Sequence, residues 1–509
     1  MAPPRKILKS LPLVGFGQTP MELDRRADWE NFALKIINHF RSGNVALVAE
    51  TGAGKTVIAL MAIIAKDWRT LFLAPQRYLA GQHQKLLDRI SGERVPSQMY
   101  TGLTKKRDWN SLADRIIFAT PHIALNDYRR QLIDLSQFDL VVIDEFHKAI
   151  GDYPYVSLAQ VASSKRLKIL ALSASPGGDL EKIETVRKNC RISHWLKAEI
   201  KTPTKNEYLE MVKLDDNLKK IEQLFLSLLR DTALDLTCYG LTVNEKKLPT
   251  IKELNRLKEC VDSLKGEEVF YPAISAYARY AKLRHAYAIT ISEGYGSFLA
   301  YLEKLRKDQS RAVHDIFQKN DFHEIVALAR QNQLNHPKVY QLLQLASNLK
   351  ERGKTALVFV GLKDTAEMLL DFMERYKIKA DIVFGGADKN LSHQEKVLDQ
   401  LADRQLDCLI CTSVMEEGVS IGEVDSVIHY SMPPTEISRL QRSGRTGRLR
   451  SGEVIYLAID HALDTNRYFA TKRKLERMKE ALRQNSFDPA DSETIRYHKR
   501  KIDRTLPLI

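Results

Sequence analysis

Ala49-Glu50-Thr51-Gly52-Ala53-Gly54-Lys55-Thr56 decides the fold. An apolar run at residues 45–49 leads into it, and residues 55–65 continue with helical apolar spacing. A strand, a turn with two glycines and a helix, in that order, form the setting in which such a loop cradles polyphosphate. Gly52 and Gly54 let backbone N–H groups face phosphate, and the helix N-terminus adds partial positive charge. Lys55 is expected to reach the β- and γ-phosphates and Thr56 to ligate magnesium, with Thr51, Gly52, Ala53 and Gly54 completing the cradle. A purely structural Gly-Lys-Thr turn is the alternative, and its flanking strand and helix weigh against it.

Two later stretches supply what that loop lacks. Leu140-Val-Val-Ile-Asp144-Glu145-Phe146-His147 is an apolar strand that ends in two acids. Asp144 at the strand's end is placed to hold Mg2+, and Glu145 to act as the base toward an attacking water. An acidic strand-to-helix turn is the bland reading, and it loses ground beside Lys55. Ser173-Ala-Ser175 follows the next strand and offers small hydroxyls for coupling, although it is also ordinary turn composition. Near the other end stands Gln441-Arg-Ser-Gly-Arg445-Thr-Gly-Arg448, poor core material. Arg445 and Arg448, three apart, are expected to share a helix face and to neutralise charge as a γ-phosphoryl group departs, with Gln441 beside them. The competing reading is a solvated basic helix.

Further apolar runs bounded by polar turns fall at residues 71–74, 116–119, 140–143 and 169–172, and a second set at 356–360, 381–384, 408–411, 427–430 and 454–458. With amphipathic stretches between them they predict two α/β units of parallel strands and crossover helices. Between the sets the period changes: Leu214, Leu218, Ile221, Phe225 and Leu228 lie three and four apart, as do Ile251, Leu254, Leu257, Val261 and Leu264. Residues 201–335 are therefore expected to be helical throughout. The divisions that follow are a flexible basic arm at 1–20, a first α/β domain at 21–200, the helical insertion at 201–335, a second α/β domain at 336–483 and a polar tail at 484–509.

Length and composition agree. With 509 residues, 44% of them hydrophobic, the chain can bury two or three cores. No apolar run approaches the roughly 18 residues a membrane span needs, so no membrane partner is expected. The formal charge of +14 favours a polyanion, nucleic acid first, with general surface solubility as the plain alternative. Five scattered cysteines fit a reducing cytosolic setting. Cys408-Leu-Ile-Cys411 has zinc-knuckle spacing but lies in an apolar run without further ligands, and reads as buried strand.

The order of these motifs resembles a superfamily-2 helicase, and more closely the archaeal Hef and Fanconi-anaemia M-type fork-remodelling helicases. The likeness runs over residues 44–482 and is carried by Ala119-Thr-Pro-His, the DEAH-like box within Asp144-Glu-Phe-His-Lys-Ala-Ile-Gly-Asp-Tyr-Pro-Tyr-Val156, Ser173-Ala-Ser-Pro-Gly177, His336-Pro-Lys338, Thr412-Ser-Val-Met-Glu-Glu-Gly-Val419 and the arginine motif. The resemblance implies two RecA-like domains with an all-helical domain inserted between them, ATP and Mg2+ in the cleft, and nucleic acid across another face. It implies strand contacts at Pro75-Gln-Arg77, Thr101-Gly102 and Thr120-Pro121, and in the second domain at Gly385-Gly386 and Thr412-Ser413, with Glu417-Gly418 bridging toward ATP. Such contacts position a strand without reading its bases. Where the family carries an aromatic-Gln dipeptide that reads adenine, Trp29-Glu30 is the nearest counterpart, at a slightly different spacing, which leaves strictness for ATP open.

The activity implied is ATP-driven helicase or translocase work on forked or branched DNA, in the cytoplasm and on the nucleoid in a prokaryote, with a separate nuclease or repair protein as a further partner. About 25 residues follow the last expected helix, so no nuclease is expected within the chain. A double-stranded-RNA-dependent ATPase of RIG-I-like or Dicer type is the first rival. A nucleic-acid-binding scaffold with a vestigial ATP cycle is the second, disfavoured by the joint presence of the lysine, acids and arginines.

Overall fold

The computed structural model describes residues 4–13, 20–111, 113–177, 180–200, 203–243, 249–332, 336–384, 391–412, 424–447 and 451–483. Its first sheet contains β1 (Asn44–Ala49), β2 (Thr70–Leu73), β3 (Ser97–Tyr100), β4 (Ile116–Ala119), β5 (Leu140–Asp144), β6 (Lys168–Ser173) and β7 (Ile192–Ala198), in spatial order β3-β4-β2-β5-β6-β1-β7. The second contains β8 (Lys205–Val212), β9 (Ala356–Phe359), β10 (Ala380–Val383), β11 (Cys408–Cys411), β12 (Ser426–His429) and β13 (Gly452–Ile459), in order β10-β11-β9-β12-β13-β8. Every strand pairing among the described residues is parallel.

Both sheets are covered on both faces, as parallel sheets require. Along β1, Val45, Leu47 and Ala49 join one core while Ala46 and Val48 join another. On β11, Cys408 and Cys411 likewise enter opposite cores, so the two thiols cannot ligate one ion from this strand. Burial pushes the Cys408 thiol up to about 12.

The strands that apolar runs did not reveal are β3, β7 and β8, all at sheet edges, where one side stays half-exposed and the run is broken. One of them corrects an expectation. The segment 201–335 is not helical throughout, because Lys205–Val212 pairs with β13 in full register from Lys205 opposite Gly452 to Val212 opposite Ile459. Thereafter it is helical: Asp216–Thr237, Ile251–Ser263, Phe270–Ser292, Tyr295–Leu305, Arg311–Phe317 and Asn320–Gln331. Asp215 caps the first by accepting from Leu218 N, and Thr250 with Glu253 forms a capping box at the second. Phe225, Tyr287 and Phe298 pack edge to face at their centre.

A buried polar joint ties this insertion to the second sheet. Lys338 Nζ donates to Asp464 Oδ2 at 2.7 Å and to Ser292 O at 2.9 Å, and Tyr430 OH donates to Glu293 O at 2.8 Å.

The expected flexible arm is also corrected. Pro4–Lys9 is helical, and Leu8, Leu11 and Leu13 are buried in the first domain's core, each worth about 2 kcal/mol of transfer. Arg26 Nη2 holds the carbonyls of Lys9 and Leu11 at 3.1 and 3.2 Å. Residues 484–509, read as a polar tail, lie outside the described residues. No helix among the described residues is long and apolar enough to cross a membrane.

Candidate nucleotide-hydrolysing site

The ends of β1, β5 and β6 deliver three groups of side chains to one edge of the first sheet. After β1, Gly52 and Gly54 turn the loop with φ of 87° and 93°, values that side-chain-bearing residues rarely adopt. Gly54 then starts the Lys55–Lys66 helix. Beneath the turn lies Trp29, 4% exposed, whose Nε1 donates to Ala53 O at 2.9 Å. A Cβ on Gly54 would stand 2.5 Å from that nitrogen. Trp29 thus braces the glycine-rich loop from below, a role its resemblance to an adenine-reading aromatic does not foretell.

Lys55 Nζ donates to the carbonyls of Ala49 at 3.1 Å and Glu50 at 3.4 Å, so the ammonium lies over its own loop. At the end of β5, Asp144 is 5% exposed. Its Oδ2 accepts from His83 Nε2 at 2.8 Å and its Oδ1 from Glu145 N at 3.1 Å. Glu145 has φ 50° and ψ 50°, a left-handed turn that swings the side chain off the strand line toward Ser173 and His147. Ser173 Oγ lies 3.3 Å and His147 Nδ1 3.2 Å from Glu145 Oε2, and those two partners are 3.1 Å apart. Burial pushes the Glu145 carboxyl upward, but the His147 hydrogen bond and charge, then Lys55 and Ser173, outweigh it and hold the group well below its ordinary value of 4.5, at about 2.

From the second domain, the Glu436–Ser443 helix brings the late motif to the same place. Gly444, its C-cap, backs directly onto Thr51, so that a glycine Cβ would meet Thr51 Cβ at 2.4 Å. Two more contacts cross between the domains: Ser175 Oγ reaches Met478 Sδ at 2.6 Å, and Tyr78 packs against the core that holds Leu357 and Phe359. The two arginines of this helix are held by partners within the second domain. Arg439 stacks on Tyr456 and Tyr468 and pairs with Glu207 of β8 at 2.8 Å, and Arg442 Nη1 donates to Ser431 O at 3.3 Å.

The expectation that Arg445 lies on a helix face does not hold: the helix ends at Ser443, and Arg445, 5% exposed, lies in the turn beyond the Gly444 cap. Arg448, Gly418 and Gly385 lie outside the described residues.

Thr51 Oγ1 and Gln441 Nε2 are buried donors without a hydrogen-bond partner among the described residues. An anion suits both, since buried donors are ordinarily satisfied. Thr56 and Asp144 offer a hydroxyl and a carboxylate, hard oxygen donors of the kind Mg2+ takes together with phosphate and water.

The residues expected to contact a strand leave the other half of the same sheet edge. Pro75 and Arg77 follow β2, Gly102 follows β3 and Thr120 follows β4, all half-buried except the open Gly102. Thr101 is different: it is 2% exposed and its hydroxyl accepts from Leu103 N at 3.4 Å, so it shapes the turn that presents Gly102. Thr412, half-buried, follows β11 in the second domain. Sequence reading missed His83, His147 as Glu145's partner and Gly444. His147 and Gly444 carried a signal, as members of the Asp-Glu-Phe-His box and the arginine motif, whereas His83 carried none.

Residues 31–183 match the family model described as DEAD/DEAH box helicase, and residues 337–450 that described as Helicase conserved C-terminal domain. Among curated relatives, a putative ATP-dependent RNA helicase of Methanocaldococcus jannaschii is 30% identical over 86% of this chain and 58% of its own length. The ATP-dependent DNA helicase fml1 of Schizosaccharomyces pombe is 26% identical over 89% of this chain and 59% of its own. The ATP-dependent DNA helicase mph1 of Neurospora crassa is 26% identical over 86% and 41%. The chain thus spans about half the length of these relatives. Among solved structures, the Hef helicase domain of Pyrococcus furiosus superposes with TM-score 0.63 at 27% identity, covering 87% of this chain and 97% of that one. Dbp5 of S. cerevisiae bound to RNA and ADP BeF3 shares the fold at 15% identity and TM-score 0.53, covering 90% and 92%.

Proposed function

Because the chain belongs to the superfamily-2 helicases, with two RecA-like parallel-sheet domains, we propose that it is an ATP-dependent DNA helicase or translocase acting on forked or branched DNA in fork repair or recombination. One observation carries the motor reading: Gly444 of the arginine motif lies against Thr51 of the phosphate loop, so groups from both domains meet where a triphosphate would sit.

In this reading the loop amides of 52–54 and Lys55 bind the phosphates, and Thr56 and Asp144 would hold Mg2+, which would supply positive charge against the polyphosphate. Glu145, kept ionised by its neighbours, orients the attacking water and takes its proton. Arg445 and Arg448 neutralise the charge that develops on the departing γ-phosphoryl, and Gln441 beside them offers an amide N–H to it. Closure on ATP and release after hydrolysis alternate the grip of Pro75, Arg77, Gly102 and Thr120 on one side and Gly385 and Thr412 on the other, which moves the chain along a strand. Gly418 is assigned to the link between strand and ATP. The helical insertion is the part that embraces duplex. Cytoplasmic work on the nucleoid, with a separate nuclease or repair protein as partner, fits this reading.

DNA is favoured by the relatives named as DNA helicases in two fungi. The M. jannaschii relative, named an RNA helicase, supports a second reading in which duplex RNA is the substrate. ATP hydrolysis and strand displacement on forks, Holliday junctions, simple overhangs and duplex RNA, with ATP and with GTP, separate the two. Lys55→Ala, Arg445→Ala and Arg448→Ala should each lower stimulated turnover by about 1,000-fold, the arginine changes sparing nucleotide binding more than the lysine change. Normal turnover in any of them refutes its assigned role.

A further inference from the structure

His83 lies 6% exposed on the Arg77–Ser91 helix and spends its Nε2–H on Asp144 Oδ2 at 2.8 Å. Its ring leans on Phe72, centroids 5.0 Å apart, which fixes the imidazole's tilt. Asp144's other oxygen accepts from Glu145 N. Each carboxylate oxygen therefore has one donor that sets its direction and a lone pair left over. A metal-bearing carboxylate held in this way gives up little freedom on binding, and loss of such a partner typically costs 10–100-fold in metal affinity.

The helix that carries His83 begins at Arg77, the last residue of the Pro75-Gln-Arg77 segment assigned to strand contact. Six residues of helix span about 9 Å, a distance over which a helix moves as a rigid rod. A strand that shifts the helix N-terminus must shift the imidazole with it. We propose that His83 is a positioning residue: it orients Asp144 for Mg2+ and, through its helix, ties strand engagement to the metal site. This rests on the reading of the cleft as an ATP site.

The test uses the full chain and three variants. His83→Gln places an amide N–H near the position of Nε2, His83→Leu removes the donor, and His83→Asn is polar but too short to reach. The melting temperature is followed with the non-hydrolysable imido analogue of ATP during a Mg2+ titration, and with that analogue in EDTA. The Leu and Asn variants should need about 10–100-fold more Mg2+ for half-maximal stabilisation, with unchanged stabilisation in EDTA, while Gln stays near wild type. At saturating Mg2+, single-stranded DNA should stimulate ATP hydrolysis by the Leu and Asn variants less than it stimulates wild type. If Leu does not fold, Asn makes the same comparison. A wild-type Mg2+ requirement in the folded variants overturns the proposal. If wild type itself gains no stability from the analogue with Mg2+, the ATP reading fails instead.

Discussion

Gly444 and Thr51 touch with no space for another carbon: a Cβ on the glycine would lie 2.4 Å from both Cβ and Cγ2 of the threonine. Gly444 has φ −75° and ψ 3°, which any residue can adopt, so the close approach alone requires glycine there. Gly444→Ala should therefore leave both cores intact and act on domain closure. A separation of about 1 Å can cost on the order of 100-fold in turnover. Stimulated ATP hydrolysis should fall by that amount with little change in the calorimetric transition, and Thr51→Gly in the same chain should restore part of it. Undiminished turnover in Gly444→Ala would show that this contact is not the closed state.

Trp29 supports the glycine-rich loop by one hydrogen bond and by the face it presents to Gly54. Trp29→Phe leaves the ring but strands the Ala53 carbonyl, at about 1–3 kcal/mol. Trp29→Ala adds a cavity and should cost about 3–5 kcal/mol. Urea denaturation measures both, and the Phe variant should also raise the KM for ATP. A Phe variant as stable as wild type, with the same KM, would mean that the indole N–H plays no part in loop geometry.

Glu145 provides a pH signature. With its carboxyl held near 2, it is ionised from the ordinary value of 4.5 upward, and its contribution to stability is lost only as pH falls from 4.5 toward 2. Wild-type kcat/KM should therefore show no acidic limb from this group between about pH 5 and 8. His147→Ala removes the largest opposing influence while burial remains, so the Glu145 carboxyl rises and kcat/KM should decline toward the acidic end of that range. A variant profile parallel to wild type would remove His147 from this role.

Lys338 and Asp464 form an ion pair with side chains 0% and 3% exposed. Lys338→Met leaves the carboxylate uncompensated and should destabilise the chain by about 3–5 kcal/mol, whereas Lys338→Met with Asp464→Leu should recover most of the loss. Chemical denaturation checks the pair. Equal losses in single and double variants would indicate that packing, not charge, holds the joint.

How much of this was legible in the chain follows a physical rule. Strands buried on both faces, such as β1, β5 and β9, must be apolar at nearly every position, so their runs stand out. The half-exposed edge strands β3, β7 and β8 mix polar and apolar residues, and β8 hid inside a segment whose later period is helical. The leucines at 8, 11 and 13 were overlooked because prolines and charges surround them, and they are docked by contacts with residues far along the chain.

The sequence by itself determined the glycine-rich loop, the acid pair and the late arginine motif, because each needs particular residues at fixed spacing within one short stretch of chain. Only the tertiary structure decided which partners serve them. His83 meets Asp144, Trp29 underlies Gly54, His147 steadies Glu145 and Gly444 closes on Thr51 through packing of separate elements. Spacing along a chain fixes what one element presents, and the direction in which elements pack fixes what it meets.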